Sequence, residues 1–279
     1  MTGWSVRVPA SSANIGAGFD VLGLALTLHA EVGIGEPPAG GRTAEPTHPA
    51  TIAFRQAGGD GDVWVRSPIP IGRGMGFSGA VRVGGAAAAA VQRLGAEALD
   101  DHVVLAEVCG VAAELEGHAD NVAPSVYGGV VVCADDHVQP VPLGFDPAIV
   151  VWVPDGTTTS TDRSRSTLAA EVTRADAVFN LGRVATFVAA CAAGDVDALR
   201  LATEDRLHQP TRLVEVPETA RALEAALDAG AWAAWLSGSG PTMAAMCDPG
   251  DTARIAAALP DTGHTKHLAI DHGGVTHQP

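Results

Sequence analysis

The sequence predicts a mixed α/β chain, and three observations carry this. Stretches with strand-like alternation and stretches with helical spacing follow one another along the whole length. A glycine-rich loop, Pro70-Ile71-Gly72-Arg73-Gly74-Met75-Gly76-Phe77-Ser78-Gly79-Ala80, joins a strand signal to an alanine-rich run. The pattern then restarts with a strand at 149–153, where a second domain begins. With 279 residues the chain is long enough for one large or two small domains, and at 47% hydrophobic residues it can bury a full core. Only 4% are aromatic, so that core must be built from Ala, Val and Leu.

Trp4–Pro9 alternates, with Val6 and Val8 on one face, and reads as a strand. Ala10–Asp20 is small, polar and glycine-containing, which predicts a tight loop; Asn14 and Asp20 suit its turns. Leu22-Gly23-Leu24-Ala25-Leu26 leads into a strand to about Ile34, then come a Pro- and Gly-rich surface loop over 36–49 and a short helix over 50–57. Val63–Ser67 is a strand that enters the glycine loop, and the proline-free run Gly84–Leu94 is a helix. Val103, Val104, Val108 and Val111 fall at helical spacing within a helix over 100–115, with Asp100 as its N-cap. A valine-rich strand follows Gly128-Gly129. In the second half the expected elements are a helix over 175–193, a helix over 216–229, strands over 232–236 and 243–247, a helix over 251–259 and a strand over 265–270. Between the two strands lies a second glycine loop, Ser237-Gly238-Ser239-Gly240-Pro241-Thr242.

Glycines let bare backbone approach a ligand, and a helix N-terminus offers unpaired N–H groups with partial positive charge. Loop and helix together therefore make an anion site, most naturally for phosphate. Ser78 stands where its hydroxyl can cap the helix or reach a metal ion on that phosphate. Gly74-x-Gly-x-x-Gly79 also spells a dinucleotide fingerprint, with Glu97 downstream, but Pro68 and Pro70 interrupt the strand that motif requires. A plain glycine turn before a packed helix is the third reading. A Walker A loop and the protein-kinase pattern are excluded, because the only lysine is Lys266. Net charge of −15 argues against nucleic acid and anionic membranes, so an anionic ligand must be held by helix termini and a few arginines.

The loop Pro70–Ala80 resembles the phosphate loop of the GHMP small-molecule kinases, Pro-x-x-x-Gly-Leu-Gly-Ser-Ser-Ala-Ala. Phe77 replaces the first serine and Gly79 an alanine. Val8 to Leu24 resembles the N-terminal signature of the homoserine kinase family, and Glu116-Gly117-His118-Ala119-Asp120-Asn121-Val122-Ala123-Pro124 resembles a second segment of it almost letter for letter. Ser160–Arg165 and Asp205–Arg212 resemble two further segments, each ending in arginine, and Ser237–Thr242 resembles the third GHMP motif. The resemblance runs from Val6 to about Ile270.

It implies a two-domain GHMP kinase fold: an N-terminal ribosomal-protein-S5-like α/β domain with a left-handed β-α-β unit over 1–147, and a ferredoxin-like α/β sandwich over 148–279. It implies ATP-dependent phosphorylation of the L-homoserine hydroxyl, in threonine biosynthesis, with Mg²⁺. Residues 70–80 would bind ATP, and Ser78 and Glu116 would face Mg²⁺. Arg165 and Arg212 would grip the substrate carboxylate, for which an arginine fork is suited. Asp20 and Asp120 would flank the ammonium with His118 nearby, and Asn14 would orient the hydroxyl. Asn14, Glu116 and Arg165 are the implied catalytic set. His48-Pro49 stands where the family often has an Asn-Leu pair near adenine. A related kinase for another hydroxy acid and a non-catalytic nucleotide-binding homologue stay open, as does a homodimer.

Cys109, Cys133, Cys191 and Cys247 form no Cys-x-x-Cys pair and read as reduced, mostly buried thiols. Met1-Thr2-Gly3-Trp4 carries no basic apolar signal, and no membrane span is expected, which suggests a cytoplasmic protein. Arg163 and Arg206 read as surface residues, and the scattered histidines after His264 as solvent-facing.

Overall fold

The computed structural model describes residues 3–135, 137–159 and 161–279. In the first half, β1 (Trp4–Ala13) and β2 (Leu22–Ile34) form a long antiparallel ribbon. They are followed by β3 (Arg42–Thr43), α1 (Pro49–Gln56), β4 (Val63–Arg66) and α2 (Phe77–Leu94). A short 3₁₀ turn leads to α3 (His102–Glu116), α4 (Val122–Tyr127), β5 (Val130–Ala134) and β6 (His137–Val141). The second half holds β7 (Ala148–Pro154), α5 (Thr161–Ser166), α6 (Arg174–Ala193), α7 (Leu199–Ala202), α8 (Gln209–Glu215) and α9 (Pro217–Asp228). It closes with β8 (Ala233–Leu236), β9 (Met243–Cys247), α10 (Thr252–Ala258), β10 (Gly263–Ala269) and β11 (Thr276–Gln278).

Two antiparallel sheets organise these elements. The first runs β11-β1-β2-β4-β3, with β5 on β2 and β6 on β5; the second runs β10-β7-β9-β8. The tail strand β11 thus leaves the second half and pairs with β1, Ser5 opposite Gln278. Helix α2 lies in the first core, against α1, α3 and the β1–β2 ribbon. Its small residues make this possible: a Cβ on Gly85 would fall 2.1 Å from the carbonyl oxygen of Ala50. Ala86 to Ala89 are fully buried beside it. Few aromatics therefore mean closely spaced elements, not a loose core. Where a large ring is used, as at the fully buried Phe54 of α1, truncation to Ala is expected to cost about 3–5 kcal/mol.

Several boundaries differ from the sequence expectation. β1 runs four residues beyond Pro9, because Ala10–Ala13 pair with β2 across a bulge. α2 starts at Phe77, seven residues before the alanine run. α3 is capped by Asp101, whose carboxylate accepts from the Val103 N–H, and not by Asp100, which closes the preceding 3₁₀ turn. The four cysteines are free and buried, and burial pushes their thiols up, Cys133 and Cys191 to about 12. Among the described residues α6 alone is long and apolar enough to cross a membrane; it carries Arg174, Asp176 and Arg183.

Candidate active site

The chain between β4 and α2 wraps around the N-terminus of α2. Gly76 is the N-cap in the left-handed region, and no side chain takes the first N–H groups of this 18-residue helix. Those amides are therefore available to an anion. Gly74 and Gly76 have φ of 71° and 67°, a region that strains any side chain, and space is short as well. A Cβ would lie 2.2 Å from the Ser237 carbonyl oxygen in the first case and 2.0 Å from Ser11 Oγ in the second. The second glycine loop clamps the first: Ser237 Oγ donates to the Gly74 carbonyl at 2.5 Å and shares a 2.8 Å hydrogen bond with Ser12 Oγ. From β7 and its following loop, the Thr159 N–H donates to the Gly72 carbonyl at 2.9 Å, and the Pro154 carbonyl accepts from Arg73.

Ser78 is the second residue of α2 and caps nothing. Its hydroxyl donates to Glu116 Oε2 at 2.8 Å and accepts from the Arg82 guanidinium one turn on. Glu116 is the last residue of α3, and Gly117 ends that helix in the left-handed conformation. The chain then turns so that His118 Nδ1 meets Asp120 Oδ1 at 2.9 Å. Burial pulls the His118 pKa down, but the Asp120 hydrogen bond and the Asp120 and Glu116 charges outweigh it, and the net shift is upward. Asp120 itself is buried.

The loop after β1 supplies the other wall. Asn14 and Asp20 both have positive φ. Asn14 is buried, with Oδ1 accepting from the Asp20 N–H at 3.0 Å and Nδ2 donating to the Gly238 carbonyl at 2.9 Å. Arg165 of α5 grips Asp20 with two bonds, of 2.8 and 2.5 Å. Asp20 and Arg165, expected on the ammonium and the carboxylate of one ligand, are thus also each other's partners. Arg212 of α8 is 5% exposed, and its Nε has no hydrogen-bond partner. Both guanidinium groups lie over the Phe19 ring, Arg165 at 5.5 Å and Arg212 at 5.3 Å from its centroid. Burial and the Arg165 charge lower the Arg212 pKa, against the pull of Asp20.

One cleft collects these groups. Pro70, Ile71, Gly72, Arg73, Gly74, Met75, Gly76, Phe77 and Ser78 line it together with Asn14, Asp20, Glu116, His118, Asp120, Arg165 and Arg212. Gly79 and Ala80 are the exceptions. Because the helix begins at Phe77, both are turned into the core, Gly79 against the backbone of Asn121. Phe77 faces two ways: its ring packs on the core edge-on to His48, centroids 6.4 Å apart, and also borders the cleft. Ser160 of the Ser160–Arg165 segment lies outside the described residues. Arg206, read as a surface residue, is half exposed, stacks on Phe179 and sits 3.6 Å from Asp176.

Sequence reading gave no role to His208, Phe19, Thr159 or Arg82. His208 is fully buried, stacks on Phe19, and joins the Gly16 carbonyl at 2.8 Å through Nε2 and Arg212 at 3.2 Å through Nδ1. Its spacing four residues before Arg212 was a readable helical-turn signal. Ser78 and Glu116 offer a hydroxyl and a carboxylate side by side, hard oxygen donors that fit Mg²⁺ when phosphate oxygens and water complete the shell.

Comparison with known proteins gives a consistent picture. Residues 47–129 match the GHMP kinases N terminal domain and residues 187–265 the GHMP kinases C terminal domain. The chain is 40% identical to a homoserine kinase of Thermus thermophilus, covering 95% of this chain and 96% of that protein. It is also 40% identical to a homoserine kinase of Moorella thermoacetica, covering 97% and 98%. The crystal structure of homoserine kinase from Cytophaga hutchinsonii shares the fold, with a TM-score of 0.84 at 24% identity over 99% of this chain and 98% of that one. The mevalonate kinase of Methanococcus jannaschii shares it more distantly, with a TM-score of 0.70 at 12% identity over 95% and 98%.

Proposed function

The chain belongs to the homoserine kinases of the GHMP kinase family, and we infer that it transfers the γ-phosphoryl group of ATP to the hydroxyl of L-homoserine. The products are ADP and O-phospho-L-homoserine, a step of threonine biosynthesis. The observation that carries this reading is the single cleft. It has an uncapped helix N-terminus and glycine loop on one side, and two arginines with a carboxylate–histidine cluster on the other.

The assignment of roles is our proposal. The loop amides from Gly74 to Ser78 take the ATP phosphates. Ser78 and Glu116 would hold Mg²⁺, which would neutralise phosphate charge during transfer. Arg212 takes the substrate carboxylate, with Arg165 beside it. Asp20, Asp120 and His118 surround the ammonium. Asn14, whose Oδ1 is tied to the Asp20 N–H, directs its remaining amide hydrogen at the hydroxyl that attacks. As the hydroxyl oxygen bonds to the γ-phosphorus, the bond to the ADP oxygen breaks, and the hydroxyl proton leaves with a phosphate oxygen or water. No dedicated carboxylate base is assigned; Asp120, its Oδ1 already engaged by His118, is the secondary alternative.

We place the two units at 1–147 and 148–279, with β11 rejoining the first sheet, and the enzyme in the cytoplasm. The test is ATP turnover by the purified chain over a panel of hydroxy amino acids. Homoserine should be preferred. Turnover of a different hydroxy acid, or none with MgATP bound, would replace this reading.

A further inference from the structure

Arg82 has no role in the reaction as described, yet it sits on both residues proposed to hold the metal. Its Nη1 lies 2.8 Å from Glu116 Oε2, the oxygen that also accepts from Ser78, and the same nitrogen donates to Ser78 Oγ. The side chain is 18% exposed, Glu116 is 13% exposed, and Arg82 Nε is buried with no partner. Glu116 ends α3, where the helix dipole disfavours a carboxylate, and no basic residue in the last turn of α3 offsets it. The counter-charge comes from α2 instead. Arg82 stands four residues after Ser78, the spacing that puts two helical side chains on one face.

We propose that Arg82 is a resident counter-cation of the metal site: it holds the Ser78–Glu116 pair together and must be displaced before a divalent cation can use the same oxygens. The inference rests on the reading of Ser78 and Glu116 as metal ligands. A guanidinium and a divalent cation repel, so a metal on the Glu116 and Ser78 oxygens that Arg82 already holds is disfavoured. Metal alone then binds poorly. A triphosphate changes this, because it brings enough negative charge for both cations. The metal therefore enters with the nucleotide, and Arg82 acts as a positioning residue that makes metal binding depend on nucleotide.

The experiment is Mn²⁺ titration of the full chain, with free Mn²⁺ read by its paramagnetic resonance signal, without and with ATP. Without ATP, Arg82→Met should bind Mn²⁺ at least tenfold more tightly than the wild type, and Arg82→Lys should stay within threefold of it. Arg82→Met combined with Glu116→Gln should lose the gain, which locates it at Glu116. If Arg82→Met does not fold, Arg82→Gln carries the same expectation. Wild-type Mn²⁺ affinity in the folded charge-removed variant would overturn the proposal. If that result came with weakened Mn²⁺–ATP binding in Glu116→Gln, only Arg82 would have been misread. If Glu116→Gln bound Mn²⁺–ATP like the wild type, the metal-ligand reading would fall, and Arg82 with it.

Discussion

Arg165 and Arg212 read alike in the sequence and differ in their surroundings. Arg165 is already matched by Asp20, whereas Arg212 is buried with an unpartnered Nε. Replacing either with Ala removes a charged interaction worth about 1.5–3 kcal/mol, and so should raise the homoserine KM roughly ten- to a hundredfold with ATP binding nearly unchanged. Arg212→Ala should show the larger effect in steady-state kinetics. A fall in nucleotide affinity with homoserine KM held would instead make these arginines phosphate ligands. Phe77→Ser adds a hydroxyl beside amides that any residue supplies, so kcat/KM for ATP should change by less than about tenfold, ~1.4 kcal/mol. A larger gain would show that the ring obstructs the nucleotide. His208 is held neutral: burial lowers its pKa, and Arg212 adds to this against Asp205 and the Gly16 carbonyl. A depressed histidine gives stability that is full above its unfolded value near 6.5 and is lost as pH falls from there through the folded value. The stability advantage of the wild type over His208→Gln, measured by urea unfolding, should therefore shrink below about pH 6.5. An advantage that grew on acidification would mean that the buried ring is protonated.

At the scale of elements, the N-terminus of α2 is the part on which phosphate binding depends. Gly76→Ala places a Cβ against Ser11 Oγ and in the left-handed region. Overpacking of this kind costs about 1–3 kcal/mol, so the melting temperature should fall and MgATP affinity, by calorimetry, should fall with it. An unchanged MgATP Kd would remove the helix end from the phosphate site. The long periodic elements were legible beforehand: α6 and α9 agree within a residue or two. α4, β6 and β11 were not. α4 is six residues long, too short for a helical period. β6 is mostly exposed and contains Pro140, the pattern of an edge strand without an apolar stripe. β11 is three polar residues defined only by pairing with β1. The same limit applies to the site. Local motifs identified nearly all the residues lining the cleft, because each segment carries its own chemistry. They did not reveal that Asp20 faces Arg165 or that Arg82 faces Glu116, since those pairings join residues 145 and 34 positions apart.

For the whole molecule, the path of the chain matters as much as its contacts. The second sheet, β7 to β10, lies between two stretches that both belong to the first sheet, β6 before it and β11 after it. The smaller body is therefore an insertion, anchored at two points, and not a bead at the end of a string. One anchor is the chain itself and the other is the β11–β1 pairing, so as long as the chain is intact the pairing is intramolecular, its effective concentration is high, and the walls of the cleft are limited in how far they can separate. A single proteolytic nick at 142–147 should thus leave the two pieces co-eluting on gel filtration in the absence of denaturant, held by the pairing of β11 with β1 and not by a peptide bond. Separation after one nick would mean that β11 does not hold. Intact, the protein should melt in one transition. The contact between the two glycine loops, Ser237 on Gly74, is then held shut from both ends of the second sheet, so substrate entry is expected through local opening of the cleft mouth and not through one body swinging away from the other.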